Sequence, residues 1–370
     1  MIRLRLRRRS RKAAHGSSAD RDSLRDAEQA LNAAENLVAQ QKLTGAVRLL
    51  TEANRRRRDP RLEKRLVDLR FDAYTATEWG HERPEWPRCV EDLFPGERIP
   101  EVAREQLTVE RLRSGIMHHG SLLVRGLANG DQVEQLTGDI DKALVAFDTH
   151  TAGKNRTDLA GWFQPFTQDR GSYRRLRRRR GAVLAVDSPP ALFDLVETFE
   201  HAGADRLVRD YFAEPPMMLA KKVVLRRVPP HEMSTGGWHQ DGAFMGVGIR
   251  SLNIWMALSH CGDDAPGLDV VGRRFDELVE MGGEGTFNAW ATNPQAAERV
   301  GAGAVVRPIF EPGDALLLDH LTLHRTAADA GMANDRYAVE TWLFAPSTYD
   351  AMTASGGQSY EPRDQLPILF

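Results

Sequence analysis

Cysteine is scarce in this chain, and long apolar runs are missing from it. Two cysteines, Cys89 and Cys261, occur among 370 residues, too few for the disulfide framework of a small secreted protein. No apolar run reaches the ~18 residues that a membrane-spanning helix needs. The basic segment from Met1 to Lys12 is not followed by the apolar stretch of a secretory signal. We therefore expect a cytoplasmic protein with reduced cysteines and no membrane span.

Neither sign of charge is in excess overall, but the charge is unevenly distributed. The chain has 50 basic and 52 acidic residues, a net charge of −2. Residues 1–70 hold 19 of the basic and 9 of the acidic residues, so the rest of the chain is acidic. We expect residues 1–20 to be a basic disordered tail. Binding of this tail to nucleic acid or to an anionic membrane is the alternative.

Apolar residues recur at helical spacing in residues 21–76. Leu31 and Val38 mark a first helix, Leu50 lies in a second, and Pro60 opens a third. The order resembles one and a half tetratricopeptide-type helical hairpins. Because such an array needs about three repeats to bury a continuous core, we predict a small helical appendage that docks on the main domain or on a protein partner.

Three segments follow the helical region. Residues 77–104 contain Trp79, Trp86 and several prolines, and we expect them to form a linker. Residues 105–350 alternate between predicted helices and apolar strands and form the expected main domain. Residues 351–370 are the expected C-terminal tail.

A strongly basic run extends from Arg174 to Arg180. A solvated loop or lid is one interpretation, and a clamp for a phosphate, sulfate or carboxylate is the other. The run has no interleaved aromatic residues and no helix-turn-helix pattern, so nucleic acid is not the expected partner. In the strand predicted from Met217 to Val228, Lys222 and Arg226 share one face. If that face points inward, either side chain could hold a ligand.

The stretch from Trp238 to Phe344 contains the residues with the clearest chemistry. His239 and Asp241 are two positions apart, and on an extended strand their side chains point to the same side. His324 follows a short apolar strand and would reach them only in a folded barrel. Two histidines and a carboxylate on one side of a metal form the facial triad of non-haem Fe(II) oxygenases. Because a short motif is weak evidence alone, the prediction depends on all three residues.

Arg336 stands twelve residues after His324, at the start of another apolar strand. A guanidinium binds both oxygens of a carboxylate and keeps its proton. We therefore expect Arg336 to anchor an acid beside the metal.

Together these motifs resemble the phytanoyl-CoA dioxygenase family of Fe(II)- and 2-oxoglutarate-dependent oxygenases, over residues 105–346. The matching segments are Trp238–Gly242 (WHQDG), Ser251–Leu258 (SLNIWMAL), Ala265–Val271 (APGLDVV), Gly313–Asp319 (GDALLLD) and His324–Thr326 (HRT).

The resemblance implies an α+β fold, a double-stranded β-helix (a jelly-roll or cupin-like barrel) flanked by helices. The residues that it implies as catalytic and as ligands of Fe(II) are His239, Asp241 and His324. The residues that it implies at the cosubstrate 2-oxoglutarate, which reacts together with O2, are Arg336, Thr326 and Trp255. The carboxylate at Asp241 favours hydroxylation or desaturation, because related halogenases have a small residue at that position.

We therefore predict a dioxygenase that hydroxylates a small or carrier-bound metabolite, an anionic one if the arginine run contacts it. The first alternative is a non-catalytic scaffold with a degenerate barrel, whose helical hairpins dock partners. The second is a nucleic-acid oxygenase that uses the basic tail and the arginine run, and it would bind duplexes with a steep salt dependence.

Overall fold

A computed structural model of the chain describes residues 18–77, 79, 90–167, 173–230, 237–282, 291–348 and 367–370. The predictions for the basic segment from Met1 to Lys12, for Trp86 and Cys89, and for residues 351–366 of the expected tail lie outside the described residues. A helix long and apolar enough to cross a membrane is not found in the part of the chain that is described.

The α-helices of the described residues are α1 (Ser18–Ala39), α2 (Leu43–Arg56), α3 (Pro60–Ala76), α4 (Val109–Ser114), α5 (Gly130–Thr151), α6 (Tyr173–Arg179), α7 (Pro189–Ala202), α8 (Ala204–Phe212), α9 (Gly242–Met245) and α10 (Pro294–Gly301). The strands are β1 (Glu101–Ala103), β2 (Ser121–Arg125), β3 (Ala182–Leu184), β4 (Met217–Val228), β5 (Ser251–Ala257), β6 (Gly267–Val271), β7 (Val305–Val306), β8 (Ala315–Leu318), β9 (His324–Ala327), β10 (Arg336–Phe344) and β11 (Pro367–Leu369).

Helices α1 to α3 form the predicted helical region and share one apolar core. Their buried residues include Ala34, Leu50 and Leu62. Asp59 caps α3 by accepting a hydrogen bond from the backbone N–H of Arg61, which satisfies one of the free donors at a helix start. The helices are therefore where the periodicity places them, while the tetratricopeptide-like assignment stays a prediction.

The helical region docks on α7 of the main domain. Phe193 of α7 belongs to the same apolar cluster as the first three helices. Arg55 pairs with Glu197 at 2.7 Å and also with Glu200, and Arg58 pairs with Asp194. The sequence predicted docking of the helical region on the main domain or on a protein partner, and the structure shows contact with the main domain.

The strands form two sheets. The larger sheet has the order β1-β2-β8-β5-β10-β4-β11, with β3 also paired to β4. Its pairs are antiparallel except β1 with β2. The smaller sheet has the order β7-β6-β9 and is antiparallel. Strand β1 lies within the segment expected as a linker, and β11 lies within the expected C-terminal tail.

The two faces of the larger sheet bury two separate apolar clusters. On one face Ile254 and Val339 pack with the helices, for example with Phe199 of α7. On the other face Trp255 and Trp342 pack with residues of the smaller sheet. The second cluster is the interior of a barrel whose walls are the two sheets. This arrangement confirms the predicted α+β double-stranded β-helix.

A carboxyl group lies buried where α5 meets α7. Asp139 is fully buried, and its Oδ2 has no hydrogen-bond partner among the described residues. Burial, and then the negative charge of Asp194, raise the pKa of Asp139 from 3.8 to about 8. The folded protein therefore holds a proton there at neutral pH, whereas the unfolded chain does not.

This proton makes stability depend on pH. A raised folded-state pKa gives stability that is complete below the unfolded value and is lost as pH rises through the folded value. We therefore expect Asp139→Asn to raise the free energy of unfolding at pH 8 by at least about 1.4 kcal/mol, the worth of one pKa unit. Denaturant melts from pH 5 to 9 measure it. Glu134→Gln, at an exposed position of the same helix, is the control. Equal pH profiles for the wild type and Asp139→Asn would contradict the assignment.

Candidate active site

Two histidines face each other at the edge of the smaller sheet. The backbone of His239 pairs with His324 of β9 through two reciprocal hydrogen bonds of 3.0 and 3.1 Å, and the ring centroids lie 4.4 Å apart. The Nδ1–H of His239 donates to the carbonyl of Gly237 at 3.1 Å, and that of His324 donates to the carbonyl of Thr322 at 2.9 Å. Each ring therefore keeps its Nε2 lone pair for a metal, the usual arrangement for a histidine ligand.

Asp241, the third predicted donor, lies beside His239. Its Oδ1 lies 3.9 Å from Nε2 of His239, and the residue is 6% exposed. The expectation of extended backbone is wrong at this position, because Asp241 has φ −64° and ψ −20° and is the N-cap residue of α9. The turn still brings its carboxylate to His239.

The His239 ring is neutral in this setting. Burial, then the neighbouring His324, lower its pKa from 6.5 to about 4, against the charge of Asp241. Only a neutral imidazole can donate a lone pair to a metal. Two imidazole nitrogens and one carboxylate suit a divalent transition metal such as Fe(II).

A tighter donor cluster lies on the surface. Among the described residues, the group whose donor atoms all lie within 4.8 Å of one another is His260, Asp263 and Asp264, not the predicted triad. Its imidazole already hydrogen-bonds Asp263 at 2.8 Å and Glu311 at 3.1 Å. Its two carboxylates are exposed, so ordinary surface ion pairs account for the cluster.

The neighbours of His239 and Asp241 in the sequence point away from the site. Gln240 is buried and its amide bonds the backbone of Glu277, Val279 and Leu321. Trp238 stacks under the guanidinium of Arg325, 4.5 Å from it. Both residues thus hold the loop in place and do not line the pocket.

Arg336 is a buried cation with no carboxylate of the described residues within 4.0 Å. Its residue exposure is 0%. Its Nη1 makes long hydrogen bonds of 3.4 and 3.5 Å to the carbonyls of Pro266 and Gly267. Its Nε and Nη2 have no hydrogen-bond partner among the described residues. Because such an unpaired buried charge is costly, the geometry indicates a place kept for a carboxylate.

The other two predicted cosubstrate residues lie on the barrel walls. Trp255 is buried in the barrel cluster, and the Arg336 guanidinium carbon lies 5.7 Å from its ring centroid. Thr326 is half-buried on β9, two positions from His324 and thus on the same face. The structure therefore brings Trp255 into contact with Arg336 and places Thr326 on the histidine strand.

Sequence analysis left the direction of Lys222 and Arg226 open, and the structure decides it. Arg226 lies opposite Ala338 of β10, a residue of the barrel interior. Arg226 also pairs with Glu340 at 2.9 Å, which the sequence analysis missed. Glu340 could have been found from the sequence. Side chains two or four positions apart on a strand point to the same face, so Glu340 lies on the face of Arg336.

The arginine run is a helix, α6, rather than a loop. Arg174 pairs with the buried Asp187 at 2.6 Å, and Arg178 pairs with Asp148 at 2.6 Å. Arg177 is buried, 8% exposed, and its charge acts on both Lys222 and Glu340. One arginine of the run is therefore buried rather than solvated.

No protein-family profile and no curated protein sequence matches the chain. Solved structures that are similar to it include EvdO2 from Micromonospora carbonacea var. aurantiaca, with 15% identity, a TM-score of 0.46, and coverage of 64% of this chain and 90% of that one. SnoN, a non-haem α-ketoglutarate-dependent epimerase from nogalamycin biosynthesis, has 13% identity, a TM-score of 0.40, and coverage of 69% and 90%.

EctD from S. alaskensis, solved with 2-oxoglutarate and 5-hydroxyectoine, has 15% identity, a TM-score of 0.46, and coverage of 72% and 83%. At these sequence identities the likeness concerns the fold alone. Function is inferred below from the residues of this chain.

Proposed function

We propose that the protein is an Fe(II)- and 2-oxoglutarate-dependent oxygenase that hydroxylates a small or carrier-bound metabolite. The observation that carries this proposal is the buried, unpaired guanidinium of Arg336 inside the same barrel that holds His239, Asp241 and His324. A metal donor set and a separate carboxylate anchor are the two requirements for binding a 2-oxo acid next to a metal.

The site residues fit this assignment. His239, Asp241 and His324 would hold Fe(II), and Arg336, with Thr326 and Trp255, would hold 2-oxoglutarate. When bound, these groups supply oxidation of the substrate by O2, coupled to conversion of 2-oxoglutarate into succinate and CO2.

The chain's own residues orient and protect the reactants. The hydrogen bonds from Nδ1 of both histidines fix the ring orientation and the tautomer. The guanidinium of Arg336 would hold a carboxylate by two parallel hydrogen bonds. Trp255, Phe310 and Trp342 form an apolar wall of the barrel, which excludes water and strengthens the charge interactions inside it.

The type of oxidation is proposed from one residue. Asp241 supplies the third protein ligand and leaves no place in the donor set for chloride, which favours hydroxylation or desaturation over halogenation.

A non-catalytic scaffold is the second candidate. A scaffold gives no reason to bury a guanidinium that pairs with no carboxylate of the described residues, at a cost in stability.

Three further expectations belong to this proposal. Residues 21–76 are a tetratricopeptide-like appendage that could also bind a protein partner, residues 105–350 are the oxygenase domain, and the protein acts in the cytoplasm.

An anaerobic titration tests the oxygenase proposal. We expect a visible charge-transfer absorption band only when Fe(II) and 2-oxoglutarate are both present, since the band requires a 2-oxo acid on the metal. Glutarate keeps both carboxylates but lacks the keto oxygen. It should therefore displace 2-oxoglutarate without producing a band. No band and no binding of 2-oxoglutarate would support the scaffold instead.

If the band forms, a metabolite-pool screen for a 2-oxoglutarate-dependent gain of one oxygen would identify the substrate.

A further inference from the structure

We infer that Tyr74 of α3 and the nearby Trp79 form part of the substrate-binding wall, at the end of the barrel that lies away from Arg336, and that they contact an apolar ring of the substrate. The inference deepens the proposed function and rests on it, because it assigns this ring to the substrate of the proposed oxygenase. It also gives the helical region a role beyond docking on the main domain.

The barrel has two ends, and Arg336 lies at one of them. Arg336 is the first residue of β10 and lies opposite Val228, the last residue of β4. At the other end of the same strand pair, Phe344 lies opposite Met217. Strand β11 extends the sheet at this second end, where Leu369 pairs with Met217. Arg336 and β11 therefore border opposite ends of the barrel.

Helix α3 covers the edge of the sheet at this second end. Nη1 of Arg70 donates to the carbonyl of Leu369 at 3.0 Å. Val67, Phe71 and Tyr74 are four and three positions apart, so they lie on one side of the helix. Val67 and Phe71 pack against the apolar cluster on the helix-covered face of the sheet, whereas Tyr74 packs against the barrel cluster. The last turn of α3 thus reaches the barrel side of the sheet.

Trp79 extends this contact. Its ring stacks on the ring of Tyr74, with the centroids 5.6 Å apart and 24° between the planes, and it also packs against the barrel cluster. Its Nε1–H donates to the carbonyl of Tyr74 at 3.2 Å. Because this bond uses the one polar group of the indole, the exposed part of the ring offers apolar surface to a ligand.

The aromatic pair shares the barrel cluster with a residue next to the proposed metal donors. Phe244 lies on α9, whose N-cap residue is Asp241, and it packs against the same cluster. Phe244, Tyr74 and Trp79 are half-buried, whereas Trp342 of the cluster is buried. Ligand pockets are lined mainly by apolar and aromatic side chains, and aromatic side chains favour stacked or edge contacts with another ring. The group that these three rings suit is therefore an apolar ring.

Fluorescence titration of the full-length, metal-free protein with N-phenyl-1-naphthylamine tests the wall. This uncharged probe carries aromatic rings and becomes fluorescent in an apolar site. We expect saturable binding that Trp79→Ala and Phe244→Ala each weaken at least about 10-fold, since a ring contact and its buried apolar area are lost. Trp79→Phe keeps a ring and should bind within about 3-fold of the wild type. Trp162→Ala is the matched control, because Trp162 is half-buried against the cluster on the helix-covered face, and it should leave probe binding unchanged.

Tyr74→Leu is a second variant of the same ring pair. It keeps an apolar side chain on α3 and removes the ring on which Trp79 stacks. It should therefore weaken probe binding as well, and it decides the question if Trp79→Ala does not fold.

Arg336→Gln separates this inference from the proposed function. It should abolish the binding of 2-oxoglutarate and leave probe binding intact, whereas Trp79→Ala should do the reverse. If probe binding depends on Trp79 but no form of the protein binds 2-oxoglutarate, the oxygenase proposal fails and the aromatic wall stands. The wall is wrong, whatever the outcome for 2-oxoglutarate, if the probe does not bind saturably, if Trp79→Ala and Tyr74→Leu bind it as the wild type does, or if 2-oxoglutarate displaces it.

Discussion

His239→Ala is expected to abolish the Fe(II)-dependent conversion of 2-oxoglutarate to succinate. The side chain supplies one of the three proposed metal donors, and its Nδ1–H is already committed to the carbonyl of Gly237. Loss of an outer partner of a metal ligand typically costs 10- to 100-fold in affinity. Loss of the ligand itself should therefore weaken Fe(II) binding by more than about 100-fold. Anaerobic Fe(II) titration and succinate release in air measure the two effects.

His260→Ala is the matched control, because His260 belongs to the surface cluster with Asp263 and Asp264. Like His239→Ala, this variant removes an imidazole that lies next to a carboxylate, but here the imidazole lies outside the barrel. We expect it to keep both the metal affinity and succinate formation. The opposite pattern, with activity lost in His260→Ala and kept in His239→Ala, would falsify the assignment of the metal centre.

The strands of the barrel were predictable because they are short apolar runs between turns. The predicted strand from Met217 to Val228 and the strand beginning at Arg336 have the same bounds in the structure. The structure pairs the backbones of His239 and His324 and leaves Asp241 3.9 Å from His239, while the binding of one metal by all three stays a prediction. The backbone at Asp241 was not predictable from a two-residue spacing, because a helical turn also brings such a pair together.

The direction of Lys222 could not be read from the sequence, because β4 is covered on both faces. Val223 and Leu225 face the helices. From the sequence alone, apolar residues that alternate with cations are compatible with either face of the strand pointing into the barrel. The contact of the Lys222 ammonium with the ring of Phe244, on another element, shows the direction. The arginine run shows the same limit. Arg174 and Arg178 bind Asp187 and Asp148, and these partners lie on other elements.

Arg336→Gln is expected to change two properties in opposite directions. In the ligand-free protein no carboxylate of the described part of the chain lies within 4.0 Å of this buried guanidinium. Burial, with the nearby charge of Arg226, lowers its pKa from 12.5 to about 10. At about 1.4 kcal/mol per pKa unit, that burial costs roughly 3 kcal/mol. Removal of the charge should relieve this cost, offset by lost packing, so the melting temperature without ligand should stay equal or rise.

The affinity for 2-oxoglutarate should fall in the same variant by about 100-fold, because loss of one partner of a buried charge pair typically costs 2–5 kcal/mol. Arg325→Gln is the control, since Arg325 pairs with the buried Asp269 at 2.8 Å. It should lower the melting temperature and leave the affinity unchanged. Calorimetric melting and titration with 2-oxoglutarate give both numbers for each variant. A marked drop in stability of ligand-free Arg336→Gln with unchanged affinity would make Arg336 a structural residue. It would leave the barrel without an anchor for the 2-oxo acid.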